Sequence, residues 1–134
     1  MPSIDLKNNI DERVALNIQA ISTDTTTNGV IIDTQGYESV TFIFQAGTLS
    51  DGTYTPLIQD GDDSGLSDAA AVSDTFLIGT ESAAALDTSN TVSRIGYVGK
   101  KRYVRFNAVS ASTSSGGTLG AVVVLGSAKH NPVS

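Results

Sequence analysis

Few side chains in this sequence are of a type that carries out chemistry, and each sits in an unpromising setting. Histidine occurs once, as His130 in Lys129-His130-Asn131-Pro132. General-base catalysis needs an imidazole held against a nucleophile and oriented by a third group, and a tail position offers neither. Serine is abundant, yet no Gly-x-Ser-x-Gly elbow strains one into reactivity. The absence of cysteine removes disulfides, thiolate metal ligands and a cysteine nucleophile. No phosphate-cradling Gly-rich loop carries a lysine, and no His/Cys metal spacing is present. The sequence reads as a protein that is not an enzyme, needs no cofactor and takes no small-molecule substrate.

Two segments need closer reading. Asp60-Gly61-Asp62-Asp63-Ser64-Gly65-Leu66-Ser67-Asp68 matches an EF-hand-like loop at positions one, three, five, six and nine counted from Asp60. Oxygen ligands so spaced converge on Ca²⁺, with glycine allowing the sharp turn. Position twelve is Ala71, where the bidentate carboxylate belongs, and no helical pattern flanks the loop. The segment therefore reads as a solvated hairpin turn rather than a metal site. Lys100-Lys101-Arg102-Tyr103-Val104-Arg105-Phe106 interleaves basic and aromatic residues, as single-stranded nucleic-acid platforms do. On a strand, however, Val104 and Phe106 share a face with Arg102 and read as core. A net charge of −6 also repels a polyanion at long range. Charge complementarity with an acidic protein surface suits the cluster better than nucleic acid.

The elements that position these residues are short strands. Serine and threonine number 31 and glycine 13 among 134 residues, a composition that favours strands joined by tight turns. Val14, Leu16 and Ile18 recur with a period of two. Val40, Phe42, Phe44 and Ala46 line one face of the strongest strand and predict core. Thr23 to Gly29 reads as a loop ending in an Asn-Gly turn. Pro56 cannot donate to a ladder, so the strand at 53–59 is expected at an edge or irregular there. Residues 66–74 permit a helical turn, 75–78 form a short strand, and 79–89 a loop with a turn over Glu81 to Leu86. Residues 91–98 and 102–109 read as successive strands of one hairpin joined at Gly99-Lys100-Lys101, and 118–125 as the last strand. Seven to nine short strands without substantial helix predict an antiparallel β-sandwich, jelly-roll-like, with a closed barrel as the alternative. The domain spans 13–134, preceded by an arm at 1–12 whose Ile4, Leu6 and Ile10 suit docking on a partner.

No apolar run is long enough for a membrane span, and the first residues lack the basic-then-apolar pattern of a secretory signal. The charge is unevenly split. All 14 acidic residues lie in 1–87, opposed by Lys7 and Arg13 for a balance of −12, whereas 88–134 carry +6 from Arg94, Lys100, Lys101, Arg102, Arg105 and Lys129. Either the molecule is electrically polarised, or strands from the two halves pair and cancel.

The order of several motifs resembles a known group. Gln35-Gly36-Tyr37-Glu38-Ser39-Val40 is followed by Ser50-Asp51-Gly52-Thr53-Tyr54 and Ile58-Gln59-Asp60-Gly61-Asp62-Asp63-Ser64. Then come Ile95-Gly96-Tyr97-Val98-Gly99-Lys100-Lys101-Arg102-Tyr103-Val104-Arg105 and a terminal Gly126-x-x-x-His130-x-Pro132. Over about residues 29–133 the chain resembles small head proteins of tailed bacteriophages, of the capsid decoration or cement type. The resemblance implies a β-sandwich on the outer surface of the virion, made in the host bacterial cytoplasm. It implies the major capsid protein as partner and self-association with a homotrimer preferred, while the charge balance and the short apolar runs argue against nucleic acid and membrane. The expected capsid or intersubunit contacts are Arg94, Lys100, Lys101, Arg102 and Arg105 together with Ile4, Leu6 and Ile10. A head–tail connector or tail-tube component is a second reading. A carbohydrate- or cell-surface-binding module is a third, weakened by the absence of tryptophan and the few rings left for a sugar platform.

Overall fold

The computed structural model describes residues 5–128. Nine strands occur in chain order: β1 (Asp11–Ile21), β2 (Thr26–Asp33), β3 (Tyr37–Leu49), β4 (Thr53–Gly61), β5 (Ala70–Ala71), β6 (Leu77–Ile78), β7 (Val92–Tyr97), β8 (Tyr103–Ala111) and β9 (Gly117–Ala128). They form a five-stranded sheet ordered β1-β9-β3-β7-β6 and a four-stranded sheet ordered β2-β8-β4-β5. All pairings are antiparallel, and the two sheets stack as a sandwich rather than closing into a barrel. Two three-residue 3-10 turns, Lys7–Asn9 and Asp74–Phe76, are the helical elements among the described residues.

The predicted core face of β3 points inward, with Val40, Phe42, Phe44 and Ala46 all buried. From the opposite sheet Phe106 of β8 meets Phe42 and Phe44 at ring-centroid distances of 5.6 and 5.0 Å. Burial of each such side chain stabilises the fold by about 1.5–3 kcal/mol. Val104 and Ala108 join Phe106, as alternation along β8 requires.

Alternation fails along β1. Register shifts between Val14 and Leu16 and between Leu16 and Gln19 mark bulges. Each inserts an extra residue and reverses which side chains point inward. Ala15 and Leu16 are therefore both buried, while Val14 and Ile18 face outward at 51% and 82% exposure. Asn28-Gly29 is not a turn but lies inside β2, at a register shift against β8. Its glycine is required by close approach: a Cβ there would stand 2.2 Å from the carbonyl oxygens of Ala15 and Phe106. The strand at 75–78 is reduced to Leu77–Ile78 after a 3-10 turn, and Phe76 is left exposed. The 66–74 segment forms turns and the two-residue β5 rather than helix.

The segment read as a basic hairpin is instead a crossover. β7 pairs with β3 and β6 in one sheet and β8 with β2 and β4 in the other, so 98–102 passes between sheets. It wraps the Tyr97 ring: Lys101 N–H donates to Tyr97 Oη at 3.2 Å, and Tyr97 O–H donates to Asp60 Oδ2 at 2.7 Å. Burial, reinforced by Asp60, raises the Tyr97 pKa and keeps the phenol protonated.

Pro56 behaves as expected of an edge. Tyr54 exchanges backbone hydrogen bonds with Leu86, Ile58 N–H donates to Glu81 Oε2 at 2.7 Å, and Val72 N–H donates to Ile58 O. Pro56 falls in the uncovered stretch of this margin and presents no N–H to it. The charge split is resolved by interleaving. β8 lies between β2 and β4, and β9 between β1 and β3, so strands of the acid-free half are flanked by strands of the acidic half.

Candidate functional site

The expected contact residues fall in three places. At one end of the sandwich the crossover meets the start of β1 and the acidic turn. Arg102 grips Asp33 with two bonds, Nε to Oδ1 at 2.9 Å and Nη2 to Oδ2 at 2.8 Å. Lys101 Nζ lies 2.9 Å from Asp62 Oδ2, and Arg13 Nη2 lies 2.8 Å from Asp11 Oδ2 while Nη1 donates to Asp33 O. The Arg102 guanidinium holds the Asp33 carboxyl below the usual carboxylate range, and Asp62 raises the Lys101 ammonium. Lys100 is exposed and has no ion-pair partner among the described residues. Leu6, 64% exposed, precedes the Lys7–Asn9 turn beside this end, and Ile10 is half-buried there. The turn itself is fixed by Asp5, whose carboxylate accepts from Asn8 N–H and Asn8 Nδ2. Ile4, Lys129 and His130 lie outside the described residues.

Arg105 sits elsewhere, half-buried on the outer face of the four-stranded sheet. Its Nη2 donates to Gln59 Oε1 at 2.8 Å, and Asn107 Nδ2 donates to the same oxygen. Asn107, fully buried, also donates to Leu57 O and accepts from Gly29 N–H, tying β2, β8 and β4 together. Arg105 Nε is left without a partner.

Arg94 occupies the third place, the outer face of the five-stranded sheet. Register pairs Val14 with Val122, Val122 with Ile43 and Ile43 with Arg94, a single cross-strand row. Ile18 overlies Gly120, where an added Cβ would come 2.8 Å from Ile18 Cγ1. An open groove of about 480 Å³ runs between Val14, Ile18, Ile43, Asn90 and Val122. Val92 and Ile78 extend the apolar surface at 62% and 66% exposure. Sequence reading missed this face because the β1 bulges, not the alternation, decide where Val14 and Ile18 point.

Within the acidic turn, Asp60 accepts from Tyr97 and Asp62 pairs with Lys101, while the other two carboxylates serve the turn's own backbone. Asp68 accepts from the N–H groups of Asp62 and Asp63, and Asp63 accepts from those of Gly65 and Ser67. These bonds hold both carboxyls below their usual range. Leu66, at the loop's seventh position, adopts a left-handed φ of 53° and buries its side chain. The residues thus make a self-capped turn. At the opposite end of the sandwich Asp51 does the same work, accepting from the N–H groups of Ser114, Ser115 and Gly116. Those donors depress its pKa. Of the eight aromatic rings, Phe42, Phe44, Phe106, Tyr54 and Tyr97 are buried, Tyr37 and Tyr103 are half-buried, and Phe76 is exposed.

No protein-family model matches the chain, and no curated protein matches it by sequence. Among solved structures, the crystal structure of the SPBc2 prophage-derived protein YomS is similar, with a TM-score of 0.53 and 12% sequence identity. The match covers 92% of this chain and 98% of the YomS chain. At that identity the likeness is one of fold.

Proposed function

We propose that this chain is a structural virion protein that binds the outside of a phage head and clamps neighbouring major capsid subunits. The observation that carries the reading is the convergence of the two segments marked for docking. The arm with exposed Leu6 and the crossover with Lys100, Lys101 and Arg102 are far apart in sequence and sit at one end of the sandwich. Exposed Leu6 beside Lys100, which has no ion-pair partner among the described residues, suits a capsid surface that is apolar in part and acidic at its rim. The motif order and the fold shared with a prophage-derived protein agree with it. No catalytic step is assigned to any residue. Binding across a subunit boundary stabilises the assembled shell by mass action, and several weak footprints acting together supply avidity.

Heads lacking the protein are expected to assemble yet release DNA at lower temperature than complete heads, as read by dye access on heating. Adding the purified chain back restores the release temperature. Heads equally robust without it overturn the reading, and assemblies of ring-sized copy number on mass photometry point instead to a connector or tube component.

A further inference from the structure

We propose that the outer face of the five-stranded sheet is a two-fold interface between two copies of this chain, closed by reciprocal Arg94–Glu12 pairs. This goes beyond the capsid reading and stands without it, since it concerns the free protein. Outward positions of sheets that meet water on one side are normally polar, but here the central row reads Val14, Val122, Ile43, Arg94. The next row pairs Glu12 with Val124, Val124 with Thr41 and Thr41 with Gly96. Arg94 lies on β7 and Glu12 on β1, on either side of the apolar groove. Three strand spacings and two residues separate them, on the order of 16 Å. Both side chains are exposed, and neither has an ion-pair partner among the described residues.

One cation and one anion flanking an apolar patch is a self-complementary arrangement. A two-fold axis lying over β9 brings Arg94 of each copy onto Glu12 of the other, and the condition that residue i meets j while j meets i is satisfied. Ile18, Val14 and Val122 then pack about the axis. The patch spans four strands and about six residues along each, on the order of 400–600 Å² per copy. Doubled, this sits at or below the roughly 1,200 Å² at which stable complexes begin. The dimer is therefore weak and concentration-dependent. It differs from the trimer that the family resemblance implies.

The test is sedimentation velocity on the full chain from micromolar to near-millimolar concentration. A monomer–dimer equilibrium is expected. R94E and E12R each weaken it by roughly tenfold or more, because every dimer then holds two like-charge contacts. The double variant R94E/E12R restores it to near the parent value. Thermal unfolding of all three variants shows that the fold is kept, since both positions are exposed. A monomer at every concentration, a trimer, or a dimer indifferent to the charge reversals overturns the proposal. So does a double variant that fails to recover.

Discussion

The two outer faces of the sandwich solve the same problem in opposite ways. On the four-stranded sheet, Arg105, Gln59 and Asn107 bond to one another and to the backbone of β2 and β4, and Asp33 grips Arg102 at the margin. On the five-stranded sheet, the equivalent outward positions are Val14, Ile18, Ile43, Val92 and Val122, with Arg94 set among them. The first face spends its polar groups on internal structure. The second offers apolar area and one uncommitted cation to another surface. Substitutions on the first should therefore register as stability, and on the second as association.

Asn107 gives the sharpest way to break that contrast. Asn107→Ala removes the side-chain partner of Gly29 N–H and Leu57 O, leaves Gln59 Oε1 with Arg105 alone and opens a void at a fully buried position, a cost of about 2–3 kcal/mol. The thermal midpoint is expected to fall by roughly 5–15 °C, and an unchanged midpoint would mean that the network is not holding β2 and β4 to β8. A smaller effect follows from Asp33. Its folded pKa lies below the ordinary 3.8, so its contribution is present above that value and is lost as pH falls through the folded pKa. Because the pair is substantially exposed, that contribution stays under about 1 kcal/mol. Denaturant titrations from pH 6 down to pH 2 should show a shallower acid-side loss in Asp33→Asn than in the parent. The smallest stability change belongs to the other face. Ile18→Lys, at a side chain 82% exposed, should shift unfolding by no more than about 0.5 kcal/mol while reducing dimer formation in the same sample. A large loss of stability there would show that Ile18 serves the monomer's own packing over Gly120.

Much of the fold was legible because it depends on side-chain alternation. Phe42, Phe44, Val104 and Phe106 declare their face by period alone, and Pro56 declares an edge by its missing donor. Interleaving of the two charge halves was one of two readings open from composition, and register decided it. What alternation does not encode is which sheet receives the next strand. Residues 91–109 look like a hairpin because their turn is short and polar, yet Tyr97 is pinned to Asp60 and the chain crosses to the opposite layer. Asn28-Gly29 misleads for a similar reason: the glycine answers to the carbonyls of Ala15 and Phe106, both distant in sequence. The basic residues lie close together in sequence, but the structure distributes them over three separate places, because the crossover disperses them and Arg105 is half-buried on β8. The aspartates at 63 and 68 read as ligands or solvated charge. Their actual role, accepting from backbone N–H groups in tight turns, depends on loop geometry that spacing alone does not give.

The margin of β4 has a consequence for how many copies can crowd together. An open strand edge is a template on which identical chains add without limit, and a protein concentrated on a surface is exposed to that hazard. Here the Leu86 bridge, the Glu81 carboxylate, the imino nitrogen of Pro56 and the short β5 leave little contiguous ladder for an incoming strand. Growth by strand addition halts at this side before it starts. On this side, contacts between copies are thereby left to side-chain surfaces rather than to strand pairing.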